Sequence, residues 1–276
     1  MSCWPKLWNR FKPNKTTGGG VMDRLKKLMD SDRMVVSGWT GMQDPLYLTE
    51  LARTGLDAVT LDMQHGMQTE NSVIRGIAAV MPSGKPVIVR IPVGRFDLVS
   101  RALDAGAHGI IAPMINNVED ARRLVSYSKY IPVGDRSAGV TQVSGLLGVA
   151  PKDYVTNANQ NTMVLAMIET AEAVENMGAI LDLDGIDGIF CGPGDLSISI
   201  RQNVVADAYG PDTIDIIKTM PIEAKKRGKL AYTWCGDVAQ TELANQLGFD
   251  YVALGNDPFY LKNGIETALD QMSFRK

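Results

Sequence analysis

Eight short apolar runs recur along this chain, most of them followed by an amphipathic segment, and that alternation restricts the fold more than any other feature. The runs are Met34 to Ser37, Ala58 to Asp62, Val87 to Ile91, Gly109 to Met114, Met163 to Ile168, Gly188 to Cys191, Leu230 to Trp234 and Tyr251 to Leu254. They have the length and composition of parallel strands covered on both faces. Between them, Asp44 to Arg53, Thr69 to Val80, Phe96 to Ala105, Val118 to Tyr130, Ile214 to Lys226 and Val238 to Leu247 carry apolar residues at helical spacing. Gly55, Gly106, Gly228 and Gly248 stand where helices would end. Eight such units point to an α/β fold, a single (β/α)8 TIM barrel over residues 22–276. An open doubly wound sheet is the runner-up, but Gly38-Trp39-Thr40-Gly41 lacks the G-x-G-x-x-G spacing expected after its first strand.

Two stretches break the rhythm. Residues 1–21 carry Lys6, Arg10, Lys12 and Lys15 with no acid, three aromatics and a glycine run. They read as a flexible basic arm that could touch a membrane surface or a partner, or as sequence ahead of a start at Met22, without the apolar core of a signal peptide. Between Tyr130 and Met163 no strand-helix unit is evident, only a long polar connection of the kind that is functional or meets another subunit. At 276 residues and 45% apolar content the chain can bury a large core. The net charge of -3 gives no general attraction to nucleic acid, and no apolar run reaches membrane-spanning length. Cys3, Cys191 and Cys235 share no metal-site spacing and cannot all pair, which suits a cytoplasmic protein.

In a barrel of this kind the chemistry sits at the C-terminal rim, so the residues closing each strand are the candidates. They are Trp39, then Asp62, Gln64 and His65, then Arg90, then Pro113 and Met114, then Glu169, then Gly192 to Asp195, then Trp234 and Asp237, and last Asn256 and Asp257. The segment from Met163 to Ser197 reads strand, acid, helix, strand, acid. Thr170 caps the helix from Ala171 to about Leu181, and the two parallel strands deliver Glu169 and Asp195 to one rim, close enough to share an ion. A hard divalent cation needs only one or two such carboxylates, with water and substrate completing its shell. The backbone N–H groups around Gly192, Gly194 and Asp195 form a pocket for a substrate carboxylate. Arg90 offers a forked donor for a carboxylate or keto oxygen.

Each residue also has a plainer reading: the two acids as helix caps, Arg90 as the ion-pair partner of Asp62 or another strand-end acid, His65 as a helix-capping or hydrogen-bonded loop residue. His108 precedes its strand, on the opposite rim, and is structural. No strand end carries a lysine, since Lys85 and Lys229 precede their strands. A Schiff-base aldolase is therefore disfavoured, and an enolate would need a metal as Lewis acid.

The motifs LDMQHG (Leu61 to Gly66), PVIVRIP (Pro86 to Pro92), DAGAHGIIAPM (Asp104 to Met114), MIETAEAVEN (Met167 to Asn176) and DGIFCGPGDLS (Asp187 to Ser197) together resemble the HpcH/HpaI aldolases, metal-dependent pyruvate aldolases on a (β/α)8 barrel. The resemblance runs from about Met22 to near the C-terminus. It implies metal binding by Glu169 and Asp195, with Mg2+, Mn2+ or Co2+ as the ion, and a catalytic His65 held or polarised by Asp62. It also implies Arg90 at the pyruvate keto or enolate oxygen, and the Gly194-Asp195 backbone at the pyruvate carboxylate. It further implies a cytoplasmic homohexamer, a trimer of dimers with the C-terminal helix swapped between barrels, in which the segment from Arg136 to Gly148 approaches a neighbouring site. Two positions depart from many relatives: Met167 stands where Gln is common, and Gln64 where Glu is common.

The activity implied is cleavage of a 4-hydroxy-2-oxo acid to pyruvate and an aldehyde through a metal-stabilised pyruvate enolate, as in the catabolism of aromatic compounds. A malyl- or citramalyl-CoA-type lyase is the nearest rival, although no cationic cluster for CoA is visible at the rim. A non-catalytic keto-acid-binding barrel is the alternative from another class.

Overall fold

The computed structural model describes residues 23–31 and 33–275; the proposed N-terminal arm and Cys3 lie outside the described residues. Eight parallel strands close into a barrel in sequence order. They are β1 (Val35–Thr40), β2 (Ala58–Asp62), β3 (Val87–Arg90), β4 (Gly109–Ala112), β5 (Met163–Ile168), β6 (Gly188–Cys191), β7 (Leu230–Cys235) and β8 (Tyr251–Leu254), with β8 returning to pair with β1. The (β/α)8 expectation therefore holds, and each strand lies within about three residues of the sequence reading. The helices in chain order are α1 (Arg24–Met29), α2 (Pro45–Ala52), α3 (Glu70–Val80), α4 (Asp97–Asp104), α5 (Val118–Ser128), α6 (Thr141–Leu147), α7 (Pro151–Asn161), α8 (Ala171–Leu181), α9 (Pro193–Arg201), α10 (Pro211–Lys226), α11 (Val238–Leu247) and α12 (Asp257–Asp270). No described helix is long and apolar enough to cross a membrane.

Strand periodicity explains how the core is divided. Alternate side chains point to opposite faces, so on β5 Met163, Leu165 and Met167 fill the barrel, while Val164, Ala166 and Ile168 pack outward under the helices. The same parity puts Ile88, Ile111, Phe190, Tyr232 and Tyr251 inside, and Leu25 of α1 packs with this inner cluster. Carried one step further at each strand end, it directs Trp39, Asp62, Arg90, Glu169 and Trp234 inward at the C-terminal rim. Apolar side chains complete the packed layers below; polar ones are left at the mouth.

Local capping matches the sequence at several joints. Thr170 accepts a hydrogen bond from Ala173 N–H at 3.0 Å, and Thr69 and Ser72 form a capping box on α3. Gly106, Gly228 and Gly248 adopt left-handed backbone past their helices, as expected, but Gly55 does not. The larger correction lies between Tyr130 and Met163. Instead of an open connection, it folds as α6 and α7. Val143 and Leu147 of α6, and Tyr154 and Ala158 of α7, are buried on the outer layer. Arg136, which opens the segment expected to approach a neighbouring site, is buried against its own chain: its guanidinium bonds Asp104 Oδ1 at 2.6 Å and lies 4.6 Å over the Tyr130 ring. The C-terminal α12 has no buried residue, and Leu261 and Ile265 are exposed on it.

Candidate active site

A cavity of about 480 Å3 opens at the C-terminal rim, and its wall includes Asp62, His65, Arg90, Glu169, Gly192, Gly194 and Asp195. All the residues assigned to the site from sequence are thus brought together. His108 is not among them. It lies at the other rim, buried, with Nδ1 accepting from Val87 N–H at 3.3 Å. Lys85 and Lys229 bind the backbone carbonyls of Thr54 and Ile186.

Asp62 and Arg90 face each other because they are direct partners in the β2–β3 register. Arg90 donates from Nε to Asp62 Oδ1 at 2.8 Å and from Nη2 to Oδ2 at 2.7 Å, a two-point geometry that fixes the plane of the guanidinium. The Trp39 ring backs it at 4.6 Å, and Trp39 Nε1 donates to Asp62 Oδ2 at 3.3 Å. Burial by itself would push the Asp62 carboxyl up, but the hydrogen bond and charge of Arg90 hold it below the ordinary carboxylate range. The contacts of Asp62 with the histidine loop run to the backbone N–H groups of Gln64 and His65, at 3.0 and 3.4 Å. The acid expected to hold the histidine ring therefore grips the arginine and the loop that carries His65. His65 itself is exposed on the cavity wall.

That loop is stitched to the one after β1. Met67 N–H donates to Gly41 O at 3.0 Å, and Gly41 and Gly66 pack so closely that a Cβ on Gly66 would lie 2.6 Å from Gly41 Cα. From α12, Asp257 accepts Gly41 N–H at 2.8 Å and the Tyr47 hydroxyl at 2.7 Å. This clamp was not evident in the sequence, where Asp257 is one more acid beyond a strand.

Glu169 is fully buried. Its Oε1 accepts Met114 N–H at 2.7 Å, while Oε2 has no partner among the described residues. Met114 donates from a left-handed backbone, φ 56°, a conformation that side chains other than Gly and Asn rarely adopt. Burial, eased by the Met114 hydrogen bond and reinforced by the negative charge of Asp195, raises the Glu169 carboxyl to about 7. An unpaired buried carboxylate oxygen is costly unless something positive meets it. Gly192 leaves room for it: a Cβ there would stand 2.4 Å from Glu169 Oε2.

Asp195 lies in the first turn of α9, whose amino end receives no side-chain cap. Pro193 has no N–H, and Gly192 N–H donates to Ile168 O. Gly194 and Asp195 then supply the open first-turn donors, and a Cβ on Gly194 would meet nothing within 4 Å. The helix end suits an anion. Among the described residues no cluster of three or more His, Cys, Asp or Glu could hold a metal. The donor set is therefore two hard oxygen ligands, one with a free buried oxygen, which fits a divalent ion that keeps positions for water and substrate.

Comparison with known proteins agrees with this fold. Residues 36–263 match the family model of the HpcH/HpaI aldolase/citrate lyase family. A hydroxypyruvate/pyruvate aldolase of Rhizorhabdus wittichii is 34% identical over 238 residues, which cover 86% of this chain and 93% of that protein. A 2-keto-3-deoxy-L-rhamnonate aldolase of Klebsiella pneumoniae is 31% identical over 224 residues, 81% of this chain and 83% of the relative. The crystal structure of an HpcH/HpaI aldolase/citrate lyase family protein from Burkholderia cenocepacia superposes with a TM-score of 0.81 at 26% identity, covering 90% of this chain and 98% of that one. With barrel, family model and relatives in agreement, the chain belongs to the HpcH/HpaI aldolase/citrate lyase family and is a carbon–carbon lyase.

Proposed function

We propose that this barrel is a metal-dependent aldolase that cleaves 4-hydroxy-2-oxo acids to pyruvate and an aldehyde, and joins them in reverse. The observation that carries the reading is the buried, unpartnered Oε2 of Glu169 beside Asp195 and an uncapped helix end, with the Arg90 fork across the same cavity. Glu169 and Asp195 are the residues to hold a divalent ion, Mg2+, Mn2+ or Co2+. Bound there, such an ion would act as Lewis acid toward the keto group of a 2-oxo acid.

The chain's own groups divide the remaining work. The Gly194 and Asp195 N–H groups receive the substrate carboxylate, and the preformed dipole of α9 favours its charge. Arg90 spends Nε and Nη2 on Asp62, so its plane is set before substrate arrives and Nη1 remains as donor to the keto oxygen. His65, on the stitched loop, takes the proton from the 4-hydroxyl. The C4–O bond becomes a carbonyl as the C3–C4 bond breaks, and the electron pair of that bond moves into an enolate whose oxygen faces Arg90. Aldehyde departs, and protonation at C3 gives pyruvate.

No cationic groove for CoA accompanies the cavity: Arg90 is its one Lys or Arg among the described lining residues. The test is pyruvate release from a 4-hydroxy-2-oxo acid by metal-stripped protein, with and without added Mg2+, Mn2+ or Co2+. Metal-restored release is expected. Absence of release with all three ions would refute the proposal.

A further inference from the structure

We infer that the aldehyde half of the substrate is uncharged, so that this chain acts on monocarboxylic rather than dicarboxylic 4-hydroxy-2-oxo acids. The inference rests on the aldolase reading above and concerns the part of the cavity that the pyruvate half leaves empty. If Gly194, Asp195 and Arg90 take the carboxylate and keto oxygen, the wall left for the aldehyde is mostly apolar, with Trp39, Trp234, Phe190, Met42, Met67 and Pro258 beside Asn256 and Asp257. Trp39 and Phe190 lie with ring centroids 5.7 Å apart. The polar edges of both indoles are already committed, Trp39 Nε1 to Asp62 and Trp234 Nε1 to Gly255 O at 2.9 Å. They therefore offer apolar surface rather than donors.

Charge points the same way. Arg90 is the one Lys or Arg among the described lining residues, and two of its nitrogens are held by Asp62. Asp257, on the remaining wall, accepts from neutral donors, Gly41 N–H and the Tyr47 hydroxyl, and pairs with no cation among the described residues. Asn256 turns Oδ1 to Phe259 N–H as the cap of α12. Arg136, in the segment expected to approach a neighbouring site, is bound to Asp104. A second carboxylate entering here would lose water, meet Asp257 and find, among the described lining residues, no Lys or Arg besides Arg90. A methyl or short hydrocarbon end would instead bury apolar surface against the indoles and methionines.

The experiment uses the full-length protein supplied with metal and has two readouts. Exchange of the pyruvate methyl protons for deuterium, followed by NMR, reports enolate formation and involves no aldehyde. Competition between butanal and 4-oxobutanoate for pyruvate, read by product mass, compares chain-matched acceptors that differ by a terminal carboxylate. Exchange with a kcat/KM preference of about 100-fold for butanal is expected. Exchange with equal or better use of 4-oxobutanoate would overturn the inference while the aldolase reading stands. No exchange with Mg2+, Mn2+ or Co2+ would defeat the aldolase reading, and the inference would fall with it. Met67→Arg, at an exposed position on the mouth, should raise the use of 4-oxobutanoate about tenfold; an unchanged preference would contradict the assignment of this wall to the acceptor.

Discussion

At the N-terminal end of the barrel, Lys129 is buried with its ammonium on Asn159 O, Thr162 O and Asp187 Oδ2 at 2.8, 2.6 and 2.8 Å. At the C-terminal end, Glu169 is buried with one backbone donor and one oxygen that has no hydrogen-bond partner among the described residues. Lys129 has a full complement of acceptors, as a structural charge must. Glu169 is left incomplete, and a left-handed methionine is tolerated to hold it so. The contrast separates a charge that maintains the fold from the carboxyl that the proposed function assigns to a metal ion.

The strongest way to break this contrast is to remove the proposed ligands. Glu169→Ala and Asp195→Ala should each lower metal-dependent pyruvate release by more than ~1000-fold, because substrate and ion lose a first ligand. Full activity in either would end the assignment. At the opposite rim, Lys129→Met should leave kcat and KM of the folded protein unchanged but lower stability by about 3 kcal/mol, since Asp187 loses its cation. Urea unfolding measures it, and an unaltered midpoint would mean that this pair contributes nothing.

Arg90→Lys keeps the charge but loses the two-point grip of Asp62, and kcat/KM should fall by about 100-fold. Asp62 would then hold a point charge rather than a fixed plane. A rise in KM with kcat unchanged would show that Arg90 does not act on the reacting oxygen.

Metal-free stability sharpens the comparison further. The Glu169 carboxyl is raised from an ordinary 4.5 to about 7 by burial. Between those values the folded chain holds a proton that the unfolded chain has released. The contribution of Glu169 is therefore fully present below about pH 4.5 and lost as pH rises to about 7. Relative to Glu169→Gln, the metal-free wild type should be weakened by up to about 3 kcal/mol at pH 8 and much less at pH 5. Thermal unfolding of both at the two values checks it, and equal stability at pH 8 would contradict an unpaired Glu169. The smallest effect is expected for Gly192→Ala, where the new methyl presses on Oε2 at 2.4 Å. Metal affinity should drop ~10- to 100-fold with the fold intact.

Much of this was readable from the chain because a strand's period of two decides which side faces in. The apolar runs stop at Asp62, Arg90 and Glu169, and inward parity carries those three to one mouth. Asp62's partner was readable only as a choice between His65 and Arg90, and the β2–β3 register chooses the arginine. Met114 was not readable, since its left-handed φ contradicts what its side chain suggests. Helices α6 and α7 were missed because their apolar stripe is thin. On α7 only Tyr154 and Ala158 are buried among Lys152, Asp153, Asn157 and Gln160.

The central claim is that Glu169 and Asp195 await a divalent ion. Titration of metal-stripped protein with Mn2+, followed by water-proton relaxation, tests it most directly. One ion per chain should bind to the wild type and to Lys129→Met, and none at the same concentrations to Glu169→Gln. Undiminished Mn2+ binding by Glu169→Gln would contradict the account.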